Sequence, residues 1–478
     1  MKRKLLLAPF MGLLLLVSSN LFANSVDYST AQSASFLMMA TRQAATDAAD
    51  ILAYNPAGIA LMVPGLHISV NNQYYVMKYE ETFKGSGIDE KYKDDRPIPI
   101  FPNVYAVYNM GKVGSGNLAF GLKAGVIGGG GYLDWNGTTG TAFAAANTAK
   151  GISSLNALLA TTATRTDIEQ DVSSVYYGFG GSVAYSMLDD RVSLSLGGQY
   201  IYAQKTAETT GKLYFNTAAF GGEWNLDIDS KFDCDAKGYS LIFGLDVRPV
   251  DKLTLSLSYE TEADLKFKYN QDRDKVTAST LLNNPTLLNN PTLGPLTGQN
   301  VVDGAAATLQ GKLNKEGEEE NFNLPAIARM GAEYAFTPAL TMAIGGELFF
   351  VHDMDYNGVE EYFQKLGWEL NVGGIYAIIP SKLKVGLGVT LADVGSKDSL
   401  FDSEDEMAAM GANNWSTHIL MGSCGIVYTI MQDLDLVVGY SYLVTYDGPE
   451  KGTTPSGYEV SYDRTVQNIA IGVNYKVF

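Results

Sequence analysis

The segment Asn55-Pro56-Ala57-Gly58 combines residues that favour a rigid and compact turn. Proline fixes its own φ angle and biases the preceding asparagine away from the helical region. Glycine tolerates angles that other residues avoid, so Gly58 permits an unusual one. Small and apolar residues surround the turn in the sequence ADILAYNPAGIALM at 49–62. These residue types offer no catalysis, and they predict a turn that presents a compact surface to its surroundings.

Residues that could carry catalysis are scattered along the chain. His67, His352 and His418 are spread among predicted strands, and no serine or aspartate pattern resembles a nucleophile elbow. No His-x-x-x-His or Cys-x-x-Cys pair offers metal-ligand spacing. The glycine run at 128–131 precedes no helix whose N-terminus could bind a phosphate. We therefore expect no enzymatic activity, no metal and no cofactor, with an outer-membrane lipase as the enzymatic alternative.

Charge and cysteine content exclude further classes. The formal net charge of the 478-residue chain is −18, which argues against nucleic acid as a partner. Paired acids such as Glu260 and Glu262 recur throughout and are expected as lumen or rim charges of a barrel. Cys234 lies in a predicted loop and Cys424 in a predicted strand, nearly two hundred residues apart. This spacing argues against a disulfide scaffold.

The N-terminus has the layout of a secretory signal peptide. Lys2, Arg3 and Lys4 precede an apolar run, and small residues lead to a predicted cut after Ala23. The alternative, a retained membrane anchor, is disfavoured because the apolar run is short for a spanning helix. We predict that residues 1–23 are removed and that the mature protein leaves the cytoplasm.

The rest of the sequence alternates apolar residues with small or polar ones. In NLAFGLKAGV, for example, Leu118, Phe120 and Leu122 share one face, and Gly121 and Lys123 share the other. Such alternation places one side of a strand in an apolar medium and the other in a polar one. Fourteen strands are predicted, at 66–80, 101–110, 117–128, 173–188, 191–206, 236–248, 253–269, 324–336, 339–354, 366–379, 382–394, 414–430, 433–446 and 464–478.

The connections between these strands alternate between short turns and long loops. An even strand number with turns at one rim and loops at the other is typical of an outer-membrane barrel. Closure of the sheet leaves no edge strand and no unpaired backbone group facing lipid. The alternative is a secreted all-β protein built of sandwiches, whose strands are shorter than many predicted here. We therefore predict an all-β fold, a transmembrane antiparallel 14-stranded β-barrel over residues 65–478.

Residues 24–64 lack strand alternation and are rich in alanine and apolar side chains. Phe36, Leu37, Ile51 and Leu52 would be costly to leave in water. Folding into the barrel lumen buries them, whereas hanging in the periplasm does not. We therefore predict that this segment, called the hatch below, plugs the lumen.

The segment ASFLMMATRQAATDAADILAYNPAGIALM resembles the hatch of the FadL-type outer-membrane transporters, which take up long-chain fatty acids and other hydrophobic molecules. Asn55, Pro56 and Ala57 match the hatch motif of that family. The stretches LSYETEADLKF and NLPAIARMGAEYAF and the terminal IAIGVNYKVF are similar to it as well. The resemblance implies a fourteen-stranded barrel with a hatch, capture of ligand at the extracellular loops, an interior apolar pocket, and sideways release into the outer membrane.

The resemblance also implies that a kink in the third strand forms a lateral gate. Gly121, Gly125, Gly128 and Gly129 are the candidate gate residues, because glycine weakens strand pairing and marks kinks. The alternative is that these glycines only ease a bend of the barrel. Lys476 departs from the family pattern, which has an aromatic residue two positions before the terminal phenylalanine. A bulge in the last strand would restore the register.

We therefore expect passive outer-membrane transport of fatty acids or similar hydrophobic molecules by a monomer. Its partners are the hydrophobic ligand and outer-membrane lipid, and it needs no cofactor. The alternative is a hydrophilic porin or a surface adhesin that uses the same barrel with a disordered N-terminus.

Overall fold

The computed structural model describes residues 32–156, 159–283, 286–290, 294–363, 366–393, 395, 418–445 and 450–478. Fourteen long strands form the wall of one closed antiparallel barrel. They are β1 (Gly65–Gly85), β3 (Pro97–Val113), β4 (Gly116–Trp135), β5 (Thr162–Met187), β6 (Val192–Thr217), β7 (Gly222–Val250), β8 (Leu253–Glu260), β13 (Ile327–Ala335), β14 (Leu340–Phe349), β15 (Gly367–Ile379), β16 (Leu383–Asp393), β17 (His418–Met431), β18 (Leu434–Thr445) and β20 (Glu459–Lys476).

Shorter strands extend the wall above the end that carries the long loops, here called the loop rim. They are β2 (Ile88–Asp94), β9 (Lys266–Ala278), β12 (Glu319–Asn321) and β19 (Glu450–Thr453), and a separate hairpin joins β10 (Thr286–Asn290) to β11 (Gly294–Thr297). The opposite end, here called the turn rim, carries tight connections such as the one between β3 and β4. The predicted all-β fold and its fourteen spanning strands are confirmed.

The barrel closes where β20 pairs with β1. Their register runs from His67 opposite Lys476 to Lys84 opposite Glu459 without a shift. β20 also pairs with β18 without a shift. The last strand therefore contains no bulge that would offset the departure at Lys476, because both neighbours hold its residues up to Lys476 or Tyr475 in regular pairing.

The outer face of the wall carries an apolar belt. Each spanning strand contributes at least one large apolar or aromatic side chain that is more than a third exposed, among them Val70, Val104, Leu122, Val183, Leu196, Leu241, Leu257, Met330, Ile344, Val372, Leu387, Ile426, Tyr442 and Ile471. Water would make such a continuous apolar surface unfavourable, whereas lipid tails favour it. The polar side chains of the same strands face the lumen, so the wall is that of a membrane-spanning barrel. This arrangement disfavours the sandwich alternative.

Two strand predictions differ from the structure. The predicted strand 253–269 is two strands, because β8 ends at Glu260 and β9 begins at Lys266 and pairs with β7 instead. Cys234 lies in β7 rather than in a loop, because β6 and β7 continue far beyond the lipid-facing belt. Cys234 is buried, Cys424 is exposed, and both are free thiols.

Two helices fill the loop rim. Helix α2 (Thr139–Leu155) and helix α3 (Gly298–Leu313) bury their apolar sides in a cluster shared with the upper parts of the strands. Phe143 of α2, for example, packs edge-on against Phe83 of β1 with ring centroids 5.0 Å apart. None of the helices in the described part of the chain is long and apolar enough to cross a membrane.

The described part of the hatch lies inside the barrel. It contains helix α1 (Ala34–Met39) and two 3₁₀ helices at Ala49–Ala53 and Pro56–Leu61. Glycines on the inner wall make room for α1: a Cβ atom at Gly439 would lie 2.5 Å from the carbonyl oxygen of Ala34. Gly373, Gly386, Gly388, Gly425 and Gly472 are likewise in close contact with α1. The predicted signal peptide at 1–23 lies outside the described residues and stays a prediction.

Candidate functional site

The Asn-Pro-Ala-Gly turn of the hatch is fixed to the barrel wall. Asn55 is extended (φ −148°, ψ 104°), as the following proline favours, and Pro56 opens the 3₁₀ helix. The Asn55 Oδ1 atom accepts a hydrogen bond from the Ala57 backbone N–H at 3.1 Å. Its Nδ2 donates to Asp246 Oδ1 at 2.7 Å. One side chain therefore caps the turn and anchors it.

Gly58 acts through its size rather than its backbone angle. It does not belong to the described glycines with positive φ, so it does not use the unusual angle that glycine permits. A Cβ atom at this position would lie 2.7 Å from the carbonyl oxygen of Ala45 and 3.3 Å from Asp246 Oδ2. Any larger residue would overlap the Ala45 backbone of the hatch and crowd Asp246 of the wall.

Further wall residues hold the turn from other sides. The Ser193 hydroxyl of β6 donates to the Ala57 carbonyl at 2.7 Å. The Asn109 amide of β3 donates to the Met62 carbonyl at 2.8 Å. Because these carbonyls are buried, the two hydrogen bonds satisfy polar groups that would otherwise be costly.

An ion cluster stabilises the hatch internally, with Arg42 and Asp50 buried and Asp47 exposed. The Arg42 guanidinium donates to both carboxylate oxygens of Asp50, at 2.8 and 3.2 Å, and to Asp47 at 2.6 Å. The Ser33 hydroxyl donates to Asp50 at 2.5 Å. Desolvation alone would lower the pKa of Arg42, but the two carboxylates outweigh it and raise that pKa. Arg42 therefore keeps its charge inside the barrel.

Tyr54 connects the hatch to the barrel wall and faces the lumen. Its ring stacks on Phe36 at a centroid distance of 5.3 Å, and its hydroxyl accepts from the Ser33 backbone N–H at 3.1 Å. Burial raises the pKa of this hydroxyl above its usual range. The Ser258 hydroxyl of β8 donates to the Tyr54 carbonyl at 2.8 Å. Tyr54 is therefore a fixed aromatic surface.

A cavity of about 70 Å³ lies above Tyr54 in the lumen. Its apolar lining comes from both the hatch and the wall: Ala53, Tyr54, Tyr105, Ile127, Ile201, Ala263, Leu324, Pro325 and Ile327. Its polar lining includes Asn103, Lys123, Gln199, Ser240, Glu260, Arg329 and Glu347. The cavity is therefore amphipathic.

The polar side of the cavity is an ordered ion network. Arg329 lies 3.1 Å from Glu260 and 3.3 Å from Glu347. Ser240 donates to Glu260 at 2.9 Å, and Gln43 of the hatch donates to Glu347 at 3.3 Å. Glu260 is thus a lumen charge, as the sequence predicts for such acids. Within the described residues, no three His, Cys, Asp or Glu side chains come together in a way that could hold a metal ion.

The cavity reaches the place where β3 and β4 separate. Their pairing ends at Asn103 opposite Gly125. Beyond it, residues 97–101 of β3 pair with β1, and residues 126–135 of β4 pair with β5. Asn103 and Gly125 both line the cavity, so the hydrogen-bonded pairing of β3 and β4 ends beside the cavity. This break in the pairing is called the window below.

The four candidate gate glycines differ in their position and in the residues around them. Gly125 lies at the window edge, and the β4–β5 register shifts on both sides of Gly128. Gly129 has a φ of +96°, which other residues rarely adopt. Gly121 lies lower, where a Cβ atom would collide with the Leu52 side chain of the hatch. The structure thus brings three of the four to the window and places Gly121 against the hatch.

Several residues of the site have no clear signal in the sequence. Asp246 follows ordinary alternation within β7, and only the folded barrel places it beside Asn55. Arg329 lies in NLPAIARMGAEYAF, where a charge among apolar residues could have indicated a lumen-facing position. Arg42 and Asp50 lie eight residues apart in a segment without periodicity, so their ion pair had no pattern to reveal it.

Solved structures similar to this chain include a FadL homologue and two toluene transporters. A FadL homologue of Pseudomonas aeruginosa matches with a TM-score of 0.58 and 14% identity, over 95% of this chain and 98% of that one. The toluene transporter TbuX of Ralstonia pickettii matches with a TM-score of 0.52 and 14% identity, over 94% and 99%. The toluene transporter TodX of Pseudomonas putida matches with a TM-score of 0.53 and 11% identity, over 94% and 98%.

Comparison with protein-family models and with curated protein sequences gives no match. At these identities the structural likeness concerns the fold. It agrees with the resemblance that the hatch motif indicates. The chain therefore has the fold of the FadL-type outer-membrane transporters, a fourteen-stranded barrel with an N-terminal segment folded into its lumen.

Proposed function

We propose that this protein carries hydrophobic small molecules passively across a bacterial outer membrane, after removal of its signal peptide. The observation that carries the proposal is the cavity that lies between the hatch and the window at Asn103 and Gly125. A ligand enters at the loop rim, occupies the cavity and leaves sideways into the lipid. A hydrophobic molecule moving down its gradient needs no cofactor and no energy source.

Sideways release is favoured over exit at the turn rim, because the end of the lumen nearest the turn rim contains charged side chains. Asp47 of the hatch and Arg248 of β7 both lie within electrostatic range of Glu333 of β13. Arg248 also donates to Thr46 at 2.8 Å. An apolar molecule would have to displace the hydration of these groups to reach the periplasm, whereas the window leads to lipid tails.

The window has a defined upper boundary. Arg96, which follows β2, forms ion pairs with Asp134 at the end of β4 at 2.7 Å and with Asp171 of β5 at 2.8 Å. The window therefore extends from the last β3–β4 pair at Gly125 to this ion pair. Its edge on β4 carries the irregular backbone around Gly128 and Gly129, where the register between β4 and β5 shifts.

The test is the substitution Gly125→Val in the full chain. A Cβ atom there would lie 2.6 Å from the Pro102 carbonyl and 2.8 Å from Asn103 Cα, so valine crowds the window edge. Gly422→Val in β17 is the matched control, because no atom lies within 4 Å of a Cβ at that position. We expect uptake of a labelled hydrocarbon by cells to fall severalfold in the first variant and to stay normal in the second.

Unchanged uptake in Gly125→Val, with normal insertion into the membrane, contradicts sideways release through this window. Uptake that is absent in the wild-type chain contradicts transport itself. In that case the hydrophilic porin or the surface adhesin becomes the better assignment.

A further inference from the structure

A groove of about 750 Å³ lies on the outer face of the barrel wall, within the apolar belt. Strands β3 to β7 form it, and almost all of its surface is apolar. Leu122 of β4 and Leu241 of β7 stand at its two sides, and Phe120, Val183 and Leu196 lie in the next row of outward residues toward the turn rim. Its volume lies in the range of pockets that hold small molecules.

Two glycines on adjacent strands create the recess. Gly181 of β5 lies opposite Gly198 of β6, and the same row continues to Leu122 on one side and Leu241 on the other. Neither glycine belongs to those with positive φ. A Cβ atom would lie 3.5 Å from its nearest neighbour at Gly181 and 3.6 Å at Gly198, which are ordinary contact distances. The backbone would therefore accept larger residues, and the groove is space that such residues would fill.

The groove faces the half of the bilayer on the turn-rim side. Ala106 and Tyr108, which line it, are six and four positions from Lys112 at the turn-rim end of β3. With a rise of about 3.4 Å per residue and a tilt of about 40°, these positions lie roughly 10–15 Å from the rim along the membrane normal. The apolar band of such barrels is about 25 Å tall, so the groove reaches the midplane of the membrane.

The strands that line the groove end in charges of both signs at the turn rim. Lys112 of β3 and Arg191, which precedes β6, are exposed, as are Asp189 after β5 and Asp251 after β7. Arg191 and Asp251 lie 2.8 Å apart, with 45% and 89% of their side chains exposed, so both can contact a further group. The head group of a zwitterionic phospholipid has matching charges, because its phosphate suits lysine or arginine and its ammonium suits aspartate.

The upper end of the groove adjoins the window. Ala106 lies three positions from Asn103, and Leu122 lies three positions from Gly125, which form the last pair of β3 and β4 before the window. A chain that fills the groove from the turn rim therefore ends beside the break in the pairing.

We propose that this groove binds a zwitterionic phospholipid of the leaflet on the turn-rim side, with one acyl chain in the recess and the head group at Lys112 and Arg191. Lipid tails are as apolar as the groove, so the hydrophobic effect contributes little to this binding. Van der Waals contact along the recess and ion pairs with the head group stabilise the complex instead. A flexible chain follows the recess, whereas the convex wall of a second copy would contact only its sides.

The experiment is native mass spectrometry of the purified full chain in a nonionic detergent, after addition of phosphatidylethanolamine with two oleoyl chains. We expect one phospholipid for each wild-type chain. The double variant Gly181→Leu and Gly198→Leu fills the recess, and its bound fraction should fall by about tenfold. Gly422→Leu in β17 is the matched control, because this exposed glycine has no atom within 4 Å of a Cβ position, and it should bind as the wild type does.

A second pair of variants tests the head group. Arg191→Gln should lower binding severalfold, because the phosphate loses one of its cations. Lys382→Gln is the matched control, since Lys382 lies in the connection between β15 and β16, away from the groove. Dioleoylglycerol has the same chains without the phosphate and the ammonium, and it should bind far more weakly than the phospholipid.

Three results overturn the inference: no phospholipid on the wild type, equal binding by a folded double leucine variant, or equal binding of dioleoylglycerol and the phospholipid. Heat-dependent migration on a denaturing gel reports the folding of each variant. If the double variant does not fold, Gly181→Val and Gly198→Val decide singly. A wild-type dimer that the double variant converts to monomer would assign the groove to a second copy and overturn the lipid site. The measurement needs no uptake, so its outcome is independent of the proposed transport.

Discussion

The Asn55 amide and the Asp246 carboxylate form a hydrogen bond of 2.7 Å between residues 191 positions apart. Both groups are buried, and the second oxygen of Asp246 has no hydrogen-bond partner. Asn55 is thus the side chain that satisfies this carboxylate. The same asparagine caps its own turn, so a single residue couples the conformation of the hatch to its attachment.

Asn55→Ala is expected to loosen the turn and leave the Asp246 carboxylate without its donor. Loss of a cap and of a buried hydrogen bond costs about 1–2 kcal/mol of local stability. We expect uptake of a labelled hydrocarbon to fall and ion leak in planar bilayers to rise only modestly, because the apolar mass of the hatch remains. A double variant with Asp246→Ala gives the control: strictly additive effects would mean that the two residues do not act together.

Deletion of residues 24–62 is expected to leave a folded barrel, because the fourteen spanning strands satisfy one another's backbone groups. Heat-dependent migration on a denaturing gel reports that folding. The open lumen should conduct ions far better than the wild type in planar bilayers. A deletion variant that conducts no better and transports normally would mean that the segment is only a tether.

Gly121→Val is expected to displace the hatch, because the new side chain would overlap Leu52. Ion leak should therefore rise by a larger factor than in Gly125→Val, which crowds the window instead. Adding Leu52→Ala creates the missing space and should reduce the leak. If the second substitution brings no relief, the glycine serves the bend of the wall and not the seating of the hatch.

Epitope tags test the orientation of the barrel. Tags near residues 150 and 288, both at the loop rim, should be accessible to antibody on intact cells. Tags in the connections near 114, 250 and 338, all at the turn rim, should become accessible only after the outer membrane is broken. Equal labelling of both sets contradicts the proposed topology.

Acid is expected to weaken the hatch through Asp47. Desolvation would by itself raise the pKa of this carboxyl, but the Arg42 guanidinium outweighs that effect and holds the pKa below its usual range. The ion pair therefore contributes stability above the ordinary aspartate value of about 3.9, and this contribution is lost as the pH falls through the lower folded value. Bilayer conductance should rise on acidification below about pH 4. Asp47→Asn should show the higher conductance already at neutral pH, and an identical pH profile in both proteins would exclude Asp47 as the cause.

The barrel wall could be predicted because its pattern is local. A strand with one face in lipid must alternate, and each of the fourteen predicted strands overlaps one of the spanning strands. The pattern fails where the strands leave the lipid: outward positions of β6 and β7 such as Lys212 and Asp227 are charged there, so the upper parts look like loops. The break between β8 and β9 also escaped prediction, because alternation continues across it.

The candidate site could be predicted only in part. The turn at Asn55 and Pro56 carries its own signal, since proline and asparagine act on the backbone of their immediate neighbours. The contacts of the turn with the wall carry no such signal, because Ser193 and Asp246 lie beside the turn only in the closed barrel. Charges that face the lumen, such as Arg329 and Arg464, obey the same alternation as any polar residue. Which of them are paired depends on strands that are far apart in the sequence.

The seam between β1 and β20 also determines how the molecule can be assembled. Ala34, at the start of α1, donates its backbone N–H to Asn71 of β1 at 3.0 Å and packs beside Gly472 of β20. The earliest and the latest parts of the described chain thus meet at one place. We expect the hatch to take its position as the two end strands join, because the start of α1 contacts both of them. Pairing of β1 with β20 and insertion of the hatch are therefore coupled steps of assembly. A barrel that closes before the hatch is inserted would have an empty lumen.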